Sequence, residues 1–435
     1  MEIFMVFWFL LLPPGFARFF RPQSRPQRGD SNTLRVGKAC TGKGQPGYIK
    51  TTLQRATVTA SNQSIVPRWA REPLKEFQEG VVYLMDIDIG TPKQTITVIV
   101  DTGSWELYLN PNCTRAADPT FCVESGHYRP TSSSTSKNLT TRYYVSFGTG
   151  GYVGGYFSDT LWFGNDFWPV SGLQFGVSDD SDYVWAGILG LGYGKRFNTK
   201  YSTLLDLLVS YGYINVPMFS LDVGSQGNGT GEIIVGGVDT HKFKGWLEPL
   251  ELYPPPDKQL SMWKQAQYWV NLTSFGYTAP GAAMTTITNS NFSRIMMVDT
   301  GSTYSYIDAD LVSLLAKQFS ATIDEQGVYY VPCKYREMDG FVHFGFNHGN
   351  MVINAKYRDF IISFGSRCAL GVQPADAGVN TWVLGDTFIR SAYIVFDQVY
   401  DAVWVANYQP CGSPSVVDLT ANAGNQLWTE IYGGC

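Results

Sequence analysis

The sequence is poor in charge. Only 16% of its 435 residues are Asp, Glu, Lys or Arg, and four are His. A composition this short of charged residues argues against long amphipathic helices, which need a solvated face. With four histidines and no Gly-X-Ser-X-Gly, a serine triad finds no support. The seven cysteines include no Cys-X-X-Cys, so zinc is not expected, and His343 and His348 stand five apart, a poor spacing for one helical face. The glycines of GILGLGYGK fit neither the dinucleotide fingerprint nor the phosphate loop. No metal and no cofactor are therefore expected. A formal net charge of −5 gives no reason to expect a nucleic-acid partner. No stretch after Leu12 is long and apolar enough to cross a bilayer, and the closing NQLWTEIYGGC lacks the hydrophobic tail of a lipid-anchor signal.

What the chain has instead is aromatic residues, at 15%, and 45 glycines, a mix suited to many short strands joined by tight turns. Its length suits two domains with processed ends. Ile3–Leu12 is a ten-residue apolar run followed by the small residues Gly15 and Ala17, so residues 1–17 read as a signal peptide, although no Lys or Arg precedes the run. From Arg18 to Arg71 there are eleven Lys/Arg and one acidic residue, Asp30; from residue 72 onward there are 21 basic and 35 acidic residues. A basic leader, 18–71, on an acidic body is expected to dock electrostatically and to be released when carboxylates protonate. A disordered basic tail is the plainer alternative. Six Asn-X-Ser/Thr sequons, at Asn62, Asn112, Asn138, Asn228, Asn271 and Asn291, add modest support for a secretory route. Cys113 with Cys122 and Cys333 with Cys368 read as disulfides. A third pairing, Cys411 with Cys435, would leave Cys40 over.

Regular structure is expected from about Tyr83. In YLMDIDIG, Met85, Ile87 and Ile89 alternate with Asp86 and Asp88, the period of a half-buried strand. Gly90-Thr91-Pro92 turns the chain, and the return strand ends on Asp101. Helices are few: Ser202 and Asp308 are candidate caps for STLLDLLVS and DADLVSLLAKQF. The fold class is all-β. Its main feature is an internal repeat. Val100-Asp101-Thr102-Gly103-Ser104 recurs as Val298-Asp299-Thr300-Gly301-Ser302, with the aspartates 198 residues apart. Each is followed by two apolar residues and a glycine, Ile188-Leu189-Gly190 and Val383-Leu384-Gly385, at 89 and 86 residues. A matched pair at nearly equal distances indicates a duplicated domain, with an N-terminal lobe over 72–240, a C-terminal lobe over 241–410 and an extension, 411–435.

From about Tyr83 to Ala406 the chain resembles the pepsin family of aspartic proteases, in motif style its fungal and yapsin-like members. The resemblance is carried by IGTPKQTITVIVDTGS, GILGLG, GGVDTHKF, VDTGSTYSYI and VLGDTFIRSAYIVFD. It implies a bilobal β-fold with a cleft between the lobes and one catalytic aspartate, Asp101 or Asp299, from each. Two carboxylates sharing a proton can activate water and protonate the carbonyl, so an acidic optimum is expected. The resemblance further implies that Thr102 and Thr300 interlock across the lobes and that Ser104 and Ser302 bond the outer carboxylate oxygens. Gly103 and Gly301 let the backbone approach the opposite carboxylate.

Phe147-Gly148-Thr149-Gly150 resembles the family's flap, a hairpin that closes over substrate. Where the family has Tyr, this chain has Phe147; where it has the supporting Trp, this chain has Tyr108. Flap positioning is then expected to rely on packing or water. Phe147, Tyr108 and Ile188 would favour bulky hydrophobic side chains at the scissile bond. Glu106 could supply a charge nearby, with a solvated surface carboxylate as the plainer reading. The expected partners are polypeptide substrates and the chain's own leader as an intramolecular inhibitor, with the enzyme a monomer. The expected location is the secretory pathway, with the extracellular space, cell wall and vacuole left open as destinations. The competing reading is a pepsin-fold binding or inhibitory protein without turnover.

Overall fold

The computed structural model describes residues 47–59, 79–147, 150–163, 168–224, 230–256, 266–325, 327–375 and 382–435. The expected signal peptide, Cys40 and the sequons at Asn62 and Asn228 lie outside these residues.

Ten strands build the first half: β1 (Ile49–Thr59), β2 (Glu79–Ile89), β3 (Gln94–Asp101), β4 (Leu107–Leu109), β5 (Lys137–Ser146), β6 (Gly151–Phe163), β7 (Trp168–Asp182), β8 (Gly187–Gly190), β9 (Met218–Asp222) and β10 (Thr230–Val235). Together with Glu248–Glu251, Ala392–Asp397 and Ala402–Asn407 they form one 13-stranded sheet. The period-two signal of β2 holds: Met85, Ile87 and Ile89 are buried. On the opposite face Thr97 and Thr95 donate to Asp86 and Asp88, each at 2.6 Å, so the carboxylates of the outer face are paired across the hairpin.

The segment read as a leader contributes a strand where none was expected. β1 pairs with β10 along its first half and with β2 along its second, bridging strands that share no other pairing. Lys50 adds an ion pair to Glu232 at 2.8 Å. Its hold on the core comes from Ile49 and Leu53, with Thr51 buried between them. Its apolar residues, Ile49, Leu53, Ala56 and Val58, follow no two-residue period, so there is little hydrophobic alternation to read, and the backbone pairing does the rest.

The sequence repeat becomes a structural one. β8 runs parallel to β3, placing Gly190 beside Asp101; Val383–Leu384 runs parallel to Arg294–Val298, placing Leu384 beside Val298. The apolar-apolar-glycine segments are therefore the strands that flank each aspartate, which is why the two spacings nearly match. Helices are short. Leu204–Ser210 is capped by Thr203, not Ser202, because Asp206 reaches back to the Thr203 N–H at 2.9 Å and completes a capping box. Asp308 precedes Ala309–Gln318 but makes no side-chain cap, since Arg294 holds its carboxylate with two bonds of 2.8 Å.

Cys113–Cys122 and Cys333–Cys368 are disulfide-bonded as read from the sequence, and Cys411–Cys435 is a third bridge. The extension is integral to the fold. Val416–Asp418 pairs with Gly237–Asp239, Tyr432–Gly434 pairs with Lys244–Trp246, and the helix Ala423–Thr429 buries Leu427 in a cluster with Trp404 and Tyr393.

Candidate active site

Asp101 ends β3 and Asp299 follows Arg294–Val298, so both leave the sheet at the same point of the repeated unit. The two turns then interlock. The Thr102 N–H donates to the Thr300 hydroxyl and the Thr300 N–H to the Thr102 hydroxyl, both at 3.0 Å. Each hydroxyl in turn donates to a carbonyl of the opposite lobe, Thr102 to Val298 at 2.9 Å and Thr300 to Val100 at 2.8 Å. Both threonines are almost fully buried, so these bonds are shielded from water and fix the turns relative to each other.

Each carboxylate is held at both oxygens. Asp101 accepts from the Gly103 N–H at 2.8 Å and the Ser104 hydroxyl at 2.5 Å; Asp299 accepts from the Gly301 N–H and the Ser302 hydroxyl, both at 2.8 Å. The two acids approach each other closely: a Cβ at Gly301 would stand within 3.1 Å of an oxygen of each. A Cβ at Gly103 would stand 2.7 Å from an Asp299 oxygen, and one at Gly301 would stand 2.7 Å from an Asp101 oxygen. Only glycine leaves room for the crossed approach. Burial, followed by the charge and hydrogen bond of Asp299, pushes the Asp101 carboxyl well above its ordinary value, against the opposing bonds from Ser104 and Gly103.

β5 and β6 form a hairpin beside this pair. The Phe147 N–H donates to the Gly150 carbonyl at 2.7 Å, closing the turn; Gly148 and Thr149 lie outside the described residues. Phe147 packs edge-on against Tyr108 and Tyr152, with ring centroids 6.1 and 5.8 Å away. Ile188, half-buried on β8, lies between the Tyr108 cluster and the cluster of Val82, Leu84 and Ile99.

Glu106 is not solvated: it is 7% exposed, and the Tyr108 hydroxyl donates to its Oε2 at 2.6 Å. Tyr108 thus spends its hydroxyl on its neighbour and meets the hairpin through ring packing. The signal was available, since a buried tyrosine hydroxyl needs an acceptor and Glu106 stands two residues away, the spacing that shares one strand face. Gln267, whose amide donates to the Gly103 carbonyl, and Tyr152, whose hydroxyl donates to the Ala186 carbonyl, carried no comparable signal.

Two mirrored Asp-Thr-Gly-Ser turns, locked by their threonines and meeting between two β-lobes, define an aspartic-type endopeptidase. The family profile for eukaryotic aspartyl proteases matches residues 82–408, and the chain belongs to that family. Its relatives include a probable aspartic-type endopeptidase, opsB, of Aspergillus oryzae, 29% identical over 353 residues, covering 76% of this chain and 69% of that one. The aspartic proteinase yapsin-3 of Saccharomyces cerevisiae is 31% identical over 345 residues, 73% of this chain and 64% of its own. Candidapepsin-1 of Candida albicans is 29% identical over 405 residues, 88% and 96% of the two chains. A binding protein without turnover is not favoured.

Proposed function

We propose that Asp101 and Asp299 are the general acid and base that hydrolyse peptide bonds, with an acidic optimum and a preference for bulky hydrophobic side chains at the scissile bond. The observation that carries this reading is the pair itself: two buried carboxyls, one per lobe, each against the opposite turn's glycine and each tied to its own glycine N–H and serine hydroxyl. With one proton on the pair, the ionised carboxylate takes a proton from water as the water oxygen adds to the carbonyl carbon. The protonated partner gives its proton to the carbonyl oxygen. The resulting diol collapses as the C–N bond breaks: a hydroxyl proton returns to a carboxylate, and a carboxyl proton passes to the amine nitrogen. The reaction needs the pair singly protonated, which the raised Asp101 carboxyl favours in acid. Phe147 is the flap side chain, and Tyr108 and Ile188 are the apolar wall beneath it. Digestion of denatured casein in acid, with the fragment ends sequenced, tests the reading. Pepstatin-sensitive cleavage between apolar residues is expected; cleavage beside basic residues would contradict the proposed preference.

The basic leader acts as an intramolecular inhibitor in this reading, the enzyme works as a monomer, and it enters the secretory pathway. What supports the first point is β1, a leader strand built into the sheet that joins the lobes. Leader-bearing protein is expected to be latent near about pH 7 and to activate near about pH 4, as carboxylates opposite the leader protonate. Identical activity at both values would overturn the inhibitory role.

A further inference from the structure

Glu106 is an acid inside the wall that faces the flap. It stands two residues beyond Ser104, whose hydroxyl holds Asp101, and its own carbonyl accepts from the Gly190 N–H at 2.9 Å, in the strand beside the catalytic turn. The side chain turns toward the flap, where its Oε2 accepts the Tyr108 hydroxyl at 2.6 Å. Tyr156 on β6 and the Trp105 side chain also lie against the carboxyl.

The Tyr108 ring is enclosed by its neighbours. It is 3% exposed, it stacks on Tyr152 at 5.8 Å and tilts against Tyr143 at 5.2 Å. Its β4 backbone pairs with Gly176 on β7 and with Ile188 on β8. A Cβ at Gly176 would come within 2.8 Å of the ring, so the glycine is what admits it. Phe147 packs edge-on against this ring and against Tyr152, and these are its ring contacts among the described residues. Burial, reinforced by the adjacent Glu106, pushes the Tyr108 phenol well above its ordinary value, so the donor keeps its proton.

We propose that Glu106 is a positioning residue for the flap: by holding the Tyr108 hydroxyl it fixes the ring against which Phe147 closes, and thereby sets how firmly the flap seats on substrate. The inference rests on the reading of Phe147 as the flap residue. A ring has two faces and a free torsion, and packing alone leaves it able to slide; a hydroxyl anchored to a buried carboxyl does not. The Phe147 edge needs a fixed partner because it carries no hydroxyl of its own.

The test uses the full chain after acid exposure, with active sites counted by pepstatin titration. Five variants are compared with the parent: Tyr108→Phe, Glu106→Leu, the two combined, Glu106→Gln and Phe147→Ala. Tyr108→Phe and Glu106→Leu are each expected to speed pepstatin dissociation about tenfold and to lower kcat/KM per titrated site about as much, as the flap seats less firmly. Their combination is expected to be no worse than either alone, because both break one bond. Glu106→Gln keeps an acceptor for the hydroxyl and is expected to stay within about threefold of the parent. If Tyr108→Phe leaves dissociation and per-site kcat/KM unchanged while Phe147→Ala alters them, the flap reading stands and Glu106 has no positioning role. If Phe147→Ala alters neither, both fall. Should Glu106→Leu fail to fold, Tyr108→Phe, which only deletes an oxygen, decides alone.

Discussion

Thr102 and Thr300 each place a backbone N–H on the other's hydroxyl at 3.0 Å, across the boundary between the lobes. The arrangement is reciprocal, so one substitution strands groups on both sides. Thr300→Val removes the acceptor of the Thr102 N–H and the donor to the Val100 carbonyl, both buried. Leaving them unpaired is expected to cost about 3 kcal/mol in denaturant unfolding, with activity falling as the carboxylates lose their alignment. Thr300→Ser keeps the hydroxyl and is expected to preserve most of both.

Acid suits the fold as well as the chemistry. Asp397 is fully buried, and burial raises its carboxyl to about 6 despite bonds from the Tyr400 N–H, the Trp404 indole and the Val399 N–H. A folded-state value above the unfolded one contributes stability below about pH 4 that is lost as pH rises through about 6. The chain is expected to lose about 3 kcal/mol from this group between those values. Asp397→Asn should flatten that part of the stability curve, whatever it costs in absolute terms. An unfolding midpoint followed across the same range checks both.

The Cys411–Cys435 bridge joins residues 24 apart in sequence and closes a loop that pairs with Gly237–Asp239 and Lys244–Trp246. Replacing both cysteines by serine is expected to cost about 3 kcal/mol of stability. Because the bridge touches neither aspartate turn, kcat/KM per active site is expected to stay within about twofold of the parent.

Much of this was legible in the sequence, and the limits have physical causes. The duplicated turns, the β2–β3 hairpin and two of the disulfides carry local signatures, in fixed spacing or a two-residue period. β1 was not legible, because its apolar residues follow no two-residue period and its place comes from pairing with strands distant in sequence. Glu106 was misread because burial is a tertiary property: Tyr108, two residues on, offers a partner, but the cover from Tyr156 on β6 comes from a strand distant in sequence. Asp308 shows the same limit, since the arginine that diverts it from capping lies 14 residues back.

If β1 is needed to close the sheet, a chain beginning after residue 59 leaves β2 and β10 without their shared partner. Refolding yield is expected to fall at least about tenfold and to recover when the 47–59 peptide is supplied separately. Equal yields with and without the peptide would show that the strand is dispensable.

The central claim is that one proton is shared by two acids, one from each lobe. The most direct measurement is the pH profile of kcat/KM on a peptide substrate for the parent, Asp101→Asn and Asp299→Asn, each shown folded by its thermal melt. The parent is expected to give a bell-shaped acid profile, and each variant to lose at least about a thousandfold at every pH, because neither carboxyl can act alone. A folded single variant that kept its activity, with the profile unchanged, would contradict the account.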